Sequence, residues 1–258
     1  MGGFSIASVV LSYFLTAGGL LTGSILITKL QTTSEVVGLL CWAIGSFIGG
    51  FFAARASRGS TIIEPAIGAV LVVATLVISV FGGDSARAMW HAGGGSVGKF
   101  VAEITAALVV GAVAGAFVSE KAFGEATTSG APWILYSALT SLGAMVMAAI
   151  ICVLLAVRGE NSIDKLATMV LVGTVAGAFL GGVAIGASAR MRVMGPAFLG
   201  GALGVVAFTL LSLTQGGGHG MHEDGAAAGV AIIAVIAGIV TMLGAGTGWA
   251  IWGKKNAG

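Results

Sequence analysis

The chain predicts an all-α, polytopic transmembrane helix bundle of about eight spans, and three observations carry that expectation. Of its 258 residues, 57% are hydrophobic and 9% charged, against roughly a quarter charged in soluble domains. The mean hydropathy is +1.06. Eight apolar windows, each near the ~20 residues that cross a bilayer, alternate with short polar or glycine-rich breaks. They fall near 4–28, 36–56, 62–82, 98–119, 132–157, 164–187, 194–214 and 229–252. The longest breaks, 83–97 and 215–228, leave little chain for an extramembrane domain.

The first window has no lysine or arginine before it. It also exceeds the roughly 7–15 residues of a signal-peptide core, so it reads as a retained span. The second, with Gly45 and Gly49, ends at Arg55 and Arg58. The third opens on Glu64 and Pro65. A proline in a first helical turn loses no hydrogen bond, and a carboxylate there is favoured by the helix dipole, so Glu64 is read as a cap or a partner for Arg55 or Arg58. The fourth carries Lys99 and Glu103, four residues apart on one face. They read as an interfacial ion pair, or as an intramembrane polar site serving a proton or cation. Pro132 and Pro196 open the fifth and seventh windows. The sixth is a glycine ladder, and the eighth ends in Trp249 and Trp252, which with Trp133 are expected to anchor at headgroup level.

An internal repeat links the two halves. At an offset of about 132 residues, Gly45, Phe47, Gly49 and Gly50 fall on Gly177, Phe179, Gly181 and Gly182, Arg58 falls on Arg190, and one gap puts Pro65 on Pro196. "VGAVAG" similarly faces "LGAGTG", while the first spans match only loosely. Residues 1–128 and 129–258 are therefore expected to be two four-span units. An even span number makes them parallel repeats, related by an axis along the membrane normal.

Forty-four glycines would weaken isolated soluble helices. In hydrocarbon the helices persist and glycine lets them approach closely. The expected packing residues are Gly19 and Gly23, Gly45 and Gly49, Gly111 and Gly115, Gly177 and Gly181, and Gly244 and Gly248. They serve packing within the chain, against copies of itself, or against other membrane subunits.

Lysine and arginine divide seven to five across the membrane if the N-terminus is inside: Arg55, Arg58, Lys121, Arg190, Arg192, Lys254 and Lys255 against Lys29, Arg87, Lys99, Arg158 and Lys165. Both termini are thus expected to be cytoplasmic, in a bacterial cytoplasmic (inner) membrane.

The loops 83–97 and 215–228 hold every histidine. His219, His222, Glu223 and Asp224, joined by His91 and Asp84 if the loops converge, form a divalent-metal candidate. The alternative is a solvated cap. A net charge of +2 with no basic stripe argues against nucleic acid. Cys41 and Cys152 lie within spans and behave as small hydrophobes. No nucleophile elbow, phosphate loop, zinc-protease helix or redox motif occurs, so neither an enzyme nor a cofactor is expected. The expected function is a non-catalytic integral membrane subunit or scaffold. The alternative is a channel or uncoupled transporter for a small solute, lined by hydroxyls such as Thr16, Thr140 and Ser141.

Overall fold

The computed structural model describes residues 5–31, 34–56, 62–81, 95–123, 130–157, 163–189, 193–212 and 226–253. Among the described residues the fold is an all-α bundle of eight helices: α1 (Ile6–Leu30), α2 (Glu35–Ala56), α3 (Ile63–Phe81), α4 (Gly95–Phe123), α5 (Gly130–Val157), α6 (Ile163–Ser188), α7 (Met194–Ser212) and α8 (Ala226–Gly248), the last continued by a π-helical turn, Trp249–Gly253. Six of them, all but α3 and α7, are long and apolar enough to cross a membrane. Over their described residues α3 and α7 are shorter apolar helices, Ile63–Ile78 and Met194–Ala207. The eight helices coincide with the eight apolar windows to within a few residues.

Local chemistry sets the boundaries. The Ser5 side chain accepts the Ser8 amide at the start of α1, and Gln31 closes it in a left-handed conformation (φ 47°) with its N–H on Thr28 O. Pro65, Pro132 and Pro196 each occupy the third position of their helix, where no intrahelical N–H is missed. Along the helices, Ser24, Thr28, Thr75, Thr105, Thr140, Thr174, Thr209 and Thr247 each donate the hydroxyl to the carbonyl four residues earlier. That local bond satisfies a hydroxyl where no water is at hand.

Residues of the first half pack as α1 on α2 and α3, and α4 on α2 and α3. Those of the second pack as α5 on α6 and α7, and α8 on α6 and α7. The halves meet chiefly through α1 against α5 and α6. There Leu11, Phe14 and Leu15 form one buried cluster with Trp133, Tyr136, Ile185 and Val193.

Candidate functional site

The ten glycines singled out from sequence all pack within the chain. Gly19 lies against Gly45, Gly23 against Cys41, and Gly49 against Leu15 and Thr16, which joins α1 to α2. Gly111 and Gly115 of α4 meet the carbonyls of Ala43 and Phe47. In the second half Gly177 meets Ala144, Gly181 meets Ser141, and Gly244 and Gly248 meet the carbonyls of Phe179 and Val183. A methyl at most of these positions would strike backbone, which cannot give way as a flexible side chain does. Gly38 and Gly98 differ in having nothing within 4 Å.

These contacts repeat in the register of the VGAVAG and LGAGTG match for α4 and α8, but one turn away from the Gly45 and Gly177 match for α2 and α6. Ser46 donates to Leu108 O, and Gly50 meets Ala112. Their counterparts by contact are Gly182 on Thr241 and Gly186 on Ala245. The shift is 136 residues from α2 to α6 and 133 from α4 to α8. A glycine row spaced by fours matches itself when slid by one turn, so residue identity leaves the register open while backbone contact fixes it. For the first spans the shift is 125: Gly18 meets Leu139 O and Gly143 meets Phe14 O, so each glycine rests on the counterpart of the residue the other meets. Ser12 against Gly68 corresponds likewise to Ser137 against Gly200.

Two sets of buried hydroxyls follow from this arrangement. Ser12 and Thr16 lie inside the first half, and Ser137, Ser141 and Thr241 inside the second, all fully buried and without a hydrogen-bond partner. Thr140 is equally buried but bonds to Tyr136 O at 2.6 Å. Thr16 lies against α2 at Gly49, and Ser141 lies against α6 and α7 at Gly181 and Gly204.

Lys99 Nζ lies 3.5 Å from Glu103 Oε1, and the two side chains are 71% and 32% exposed. An exposed pair of this kind contributes at most about 1 kcal/mol. Glu64, in contrast, is 1% exposed. Its Oε1 accepts the Ser5 amide at 2.8 Å, tying the start of α3 to the start of α1. Its Oε2 has no partner. Sequence reasoning placed Glu64 at a helix start without anticipating that it caps a neighbouring helix, because that contact spans 59 residues. Glu64→Gln, which keeps the accepting oxygen, is expected to unfold close to wild type, whereas Glu64→Leu, which strands the Ser5 amide, should lose about 1–3 kcal/mol. Denaturation midpoints in detergent compare the two.

Trp133, near the start of α5, is enclosed by protein. It is 6% exposed and packs edge-on against Tyr136 at 5.6 Å, because it lies at the junction of the two halves. Trp252 is 45% exposed. Trp42 lines a cavity of about 210 Å³ between α1, α2, α3, α4 and α5, together with Leu20, Ser24, Leu76, Ile104 and Ile150. No periodicity in the sequence marks this space, since its walls come from five helices.

His91, His219, His222, Glu223 and Asp224 lie outside the described residues. Among the described residues no group of three or more His, Cys, Asp or Glu is placed to hold a metal ion. Comparison of the chain with protein families, curated proteins and solved structures gives no match.

Proposed function

We propose that the chain is a non-catalytic integral membrane subunit, a pre-packed helical body that associates with copies of itself or with other membrane subunits. The observation that carries this reading is the glycine-to-backbone packing of helix on helix within the chain, with no group of three or more His, Cys, Asp or Glu placed to hold a metal ion among the described residues. Since the glycine rows are used inside, association would run through outward apolar faces such as Leu171, Val172, Val175 and Leu180 on α6 and Ile232, Val235, Ile236 and Ile239 on α8. The same faces contact the bilayer. In this reading the protein sits in a cytoplasmic membrane with both termini inside. It arose by duplication of a four-helix unit, with 1–128 and 129–258 as the products; the reciprocal Gly18 and Gly143 contacts and the matching helix partners support that origin.

Extraction of the tagged chain in mild detergent, followed by mass determination of the intact particle, tests the reading. A stoichiometric assembly is expected. A clean monomer from its native membrane would rule it out.

The unpartnered hydroxyls favour the second reading, a channel or uncoupled transporter. Buried polar groups without partners are uncommon, and a passing solute would supply them. In liposomes, flux of small neutral solutes that falls in Thr16→Val and Ser141→Ala would establish this reading; no flux above empty liposomes would end it.

A further inference from the structure

The 210 Å³ apolar space opens partly to the exterior of the bundle, and its volume exceeds the ~150 Å³ of apolar cavities that take up benzene. Its hydroxyl, Ser24, already donates to Leu20 O at 3.1 Å, so it does not require water. Four of the helices that wall it are long and apolar enough to cross a membrane, where the surrounding medium is hydrocarbon.

We propose that this cavity holds the hydrocarbon chain of a membrane phospholipid. Apolar walls gain dispersion contacts from a guest that fills the space between them, and a lipid chain is such a guest. The two ends of the space also suit such a guest. Helices α1 and α2 run antiparallel and α2 and α4 parallel, by the pairings of Gly19 with Gly45, Gly23 with Cys41, Gly111 with Ala43 and Gly115 with Phe47. The end of α1 therefore lies level with the starts of α2 and α4. Lys29 stands five residues beyond Ser24, and Lys99 five before Ile104, each about 7.5 Å along its helix from the cavity wall. Both lysines are exposed at that end, with Glu35 and Glu103 beside them on α2 and α4, so a phosphate above the chain finds cations and an amine finds carboxylates.

The second half closes the corresponding space. Under the shifts given by the packing contacts, Leu20, Trp42 and Ile104 correspond to Met145, Ala178 and Ala237, and those three pack together in one buried cluster. The cavity thus forms where α1 to α4 meet α5, with Leu20, Trp42 and Ile104 standing at its walls in place of the packed cluster.

Native mass spectrometry of the full chain from vesicles containing brominated phosphatidylethanolamine tests the proposal. One phospholipid retained per chain is expected, together with quenching of tryptophan emission that is smaller in Trp42→Phe. The cavity-filling variants Ser24→Phe and Ile150→Phe should each lower retention at least ~10-fold. Two variants on different helices guard against a single misfolded one, and the elution profile of each reports folding. Unchanged retention in a folded filled variant, no Trp42-dependent quenching, or equal displacement by a brominated fatty acid lacking the phosphate would overturn it. The result does not depend on whether the particle is a monomer or an assembly.

Discussion

Replacing Gly111 or Gly244 with leucine is expected to unfold the chain, not to release a folded chain from an assembly. Both glycines sit where α4 or α8 lies backbone to backbone on its neighbour, against the carbonyls of Ala43 and Phe179. Overpacking of a filled site costs about 1–3 kcal/mol even where side chains can move. Here the obstacle is a helix backbone, so a loss of at least ~3 kcal/mol is expected. The measurement is the yield of monodisperse protein and its denaturation midpoint, with Gly38→Ala as the control. Gly38 has nothing within 4 Å, so alanine there should be neutral or gain up to about 1 kcal/mol from helix propensity. A folded Gly244→Leu chain that fails only to assemble would move the glycine face to the outside of the molecule.

The second large effect concerns the seam between the halves. Gly18→Leu combined with Gly143→Leu is expected to push α1 off α5 while leaving each half its own α1–α2 and α5–α6 packing. A wild-type chain that unfolds in one transition should then unfold in two, as the halves lose their coupling. Each single variant should cost at least ~3 kcal/mol, since the obstacle is again a helix backbone. The pair should be non-additive, since both residues lie in one crossing and the first substitution already opens the space the second would fill. A single unchanged transition in the double variant would show that the halves are held together elsewhere.

Sequence made the helices plain and left their arrangement obscure, for a physical reason. Apolar length is a one-dimensional property, so eight windows translate directly into α1 to α8, and the three prolines mark helix starts because φ is fixed at such positions. Glycine content announces close packing but not its register. Gly45 matched to Gly177 was one turn away from the contact-based pairing of Ser46 with Gly182, because rows of small residues are nearly self-similar under a one-turn slide. The α1 and α5 correspondence was all but invisible, since Phe14 and Leu139 perform one packing role with different side chains. The Lys99 and Glu103 pair was legible from i,i+4 spacing. Glu64 on Ser5 and the cavity beside Trp42 were not, because they depend on which distant helices meet.

The reciprocal resting of Gly18 on Leu139 and of Gly143 on Phe14 has a consequence for how such a protein specialises. Under the proposed duplication, the ancestor was a homodimer whose two copies crossed at this point. In a homodimer every mutation lands twice, so a bulky residue that opens one side opens both, and a buried acid placed at one helix start is buried at the other as well. Fusion into one chain removes that constraint. Trp42 can stand where the other half keeps Ala178, Ser46 where it keeps Gly182, and Glu64 can cap α1 while α7 begins with the exposed Met194 and Gly195. One half is then free to acquire a new capacity while its sister preserves the scaffold.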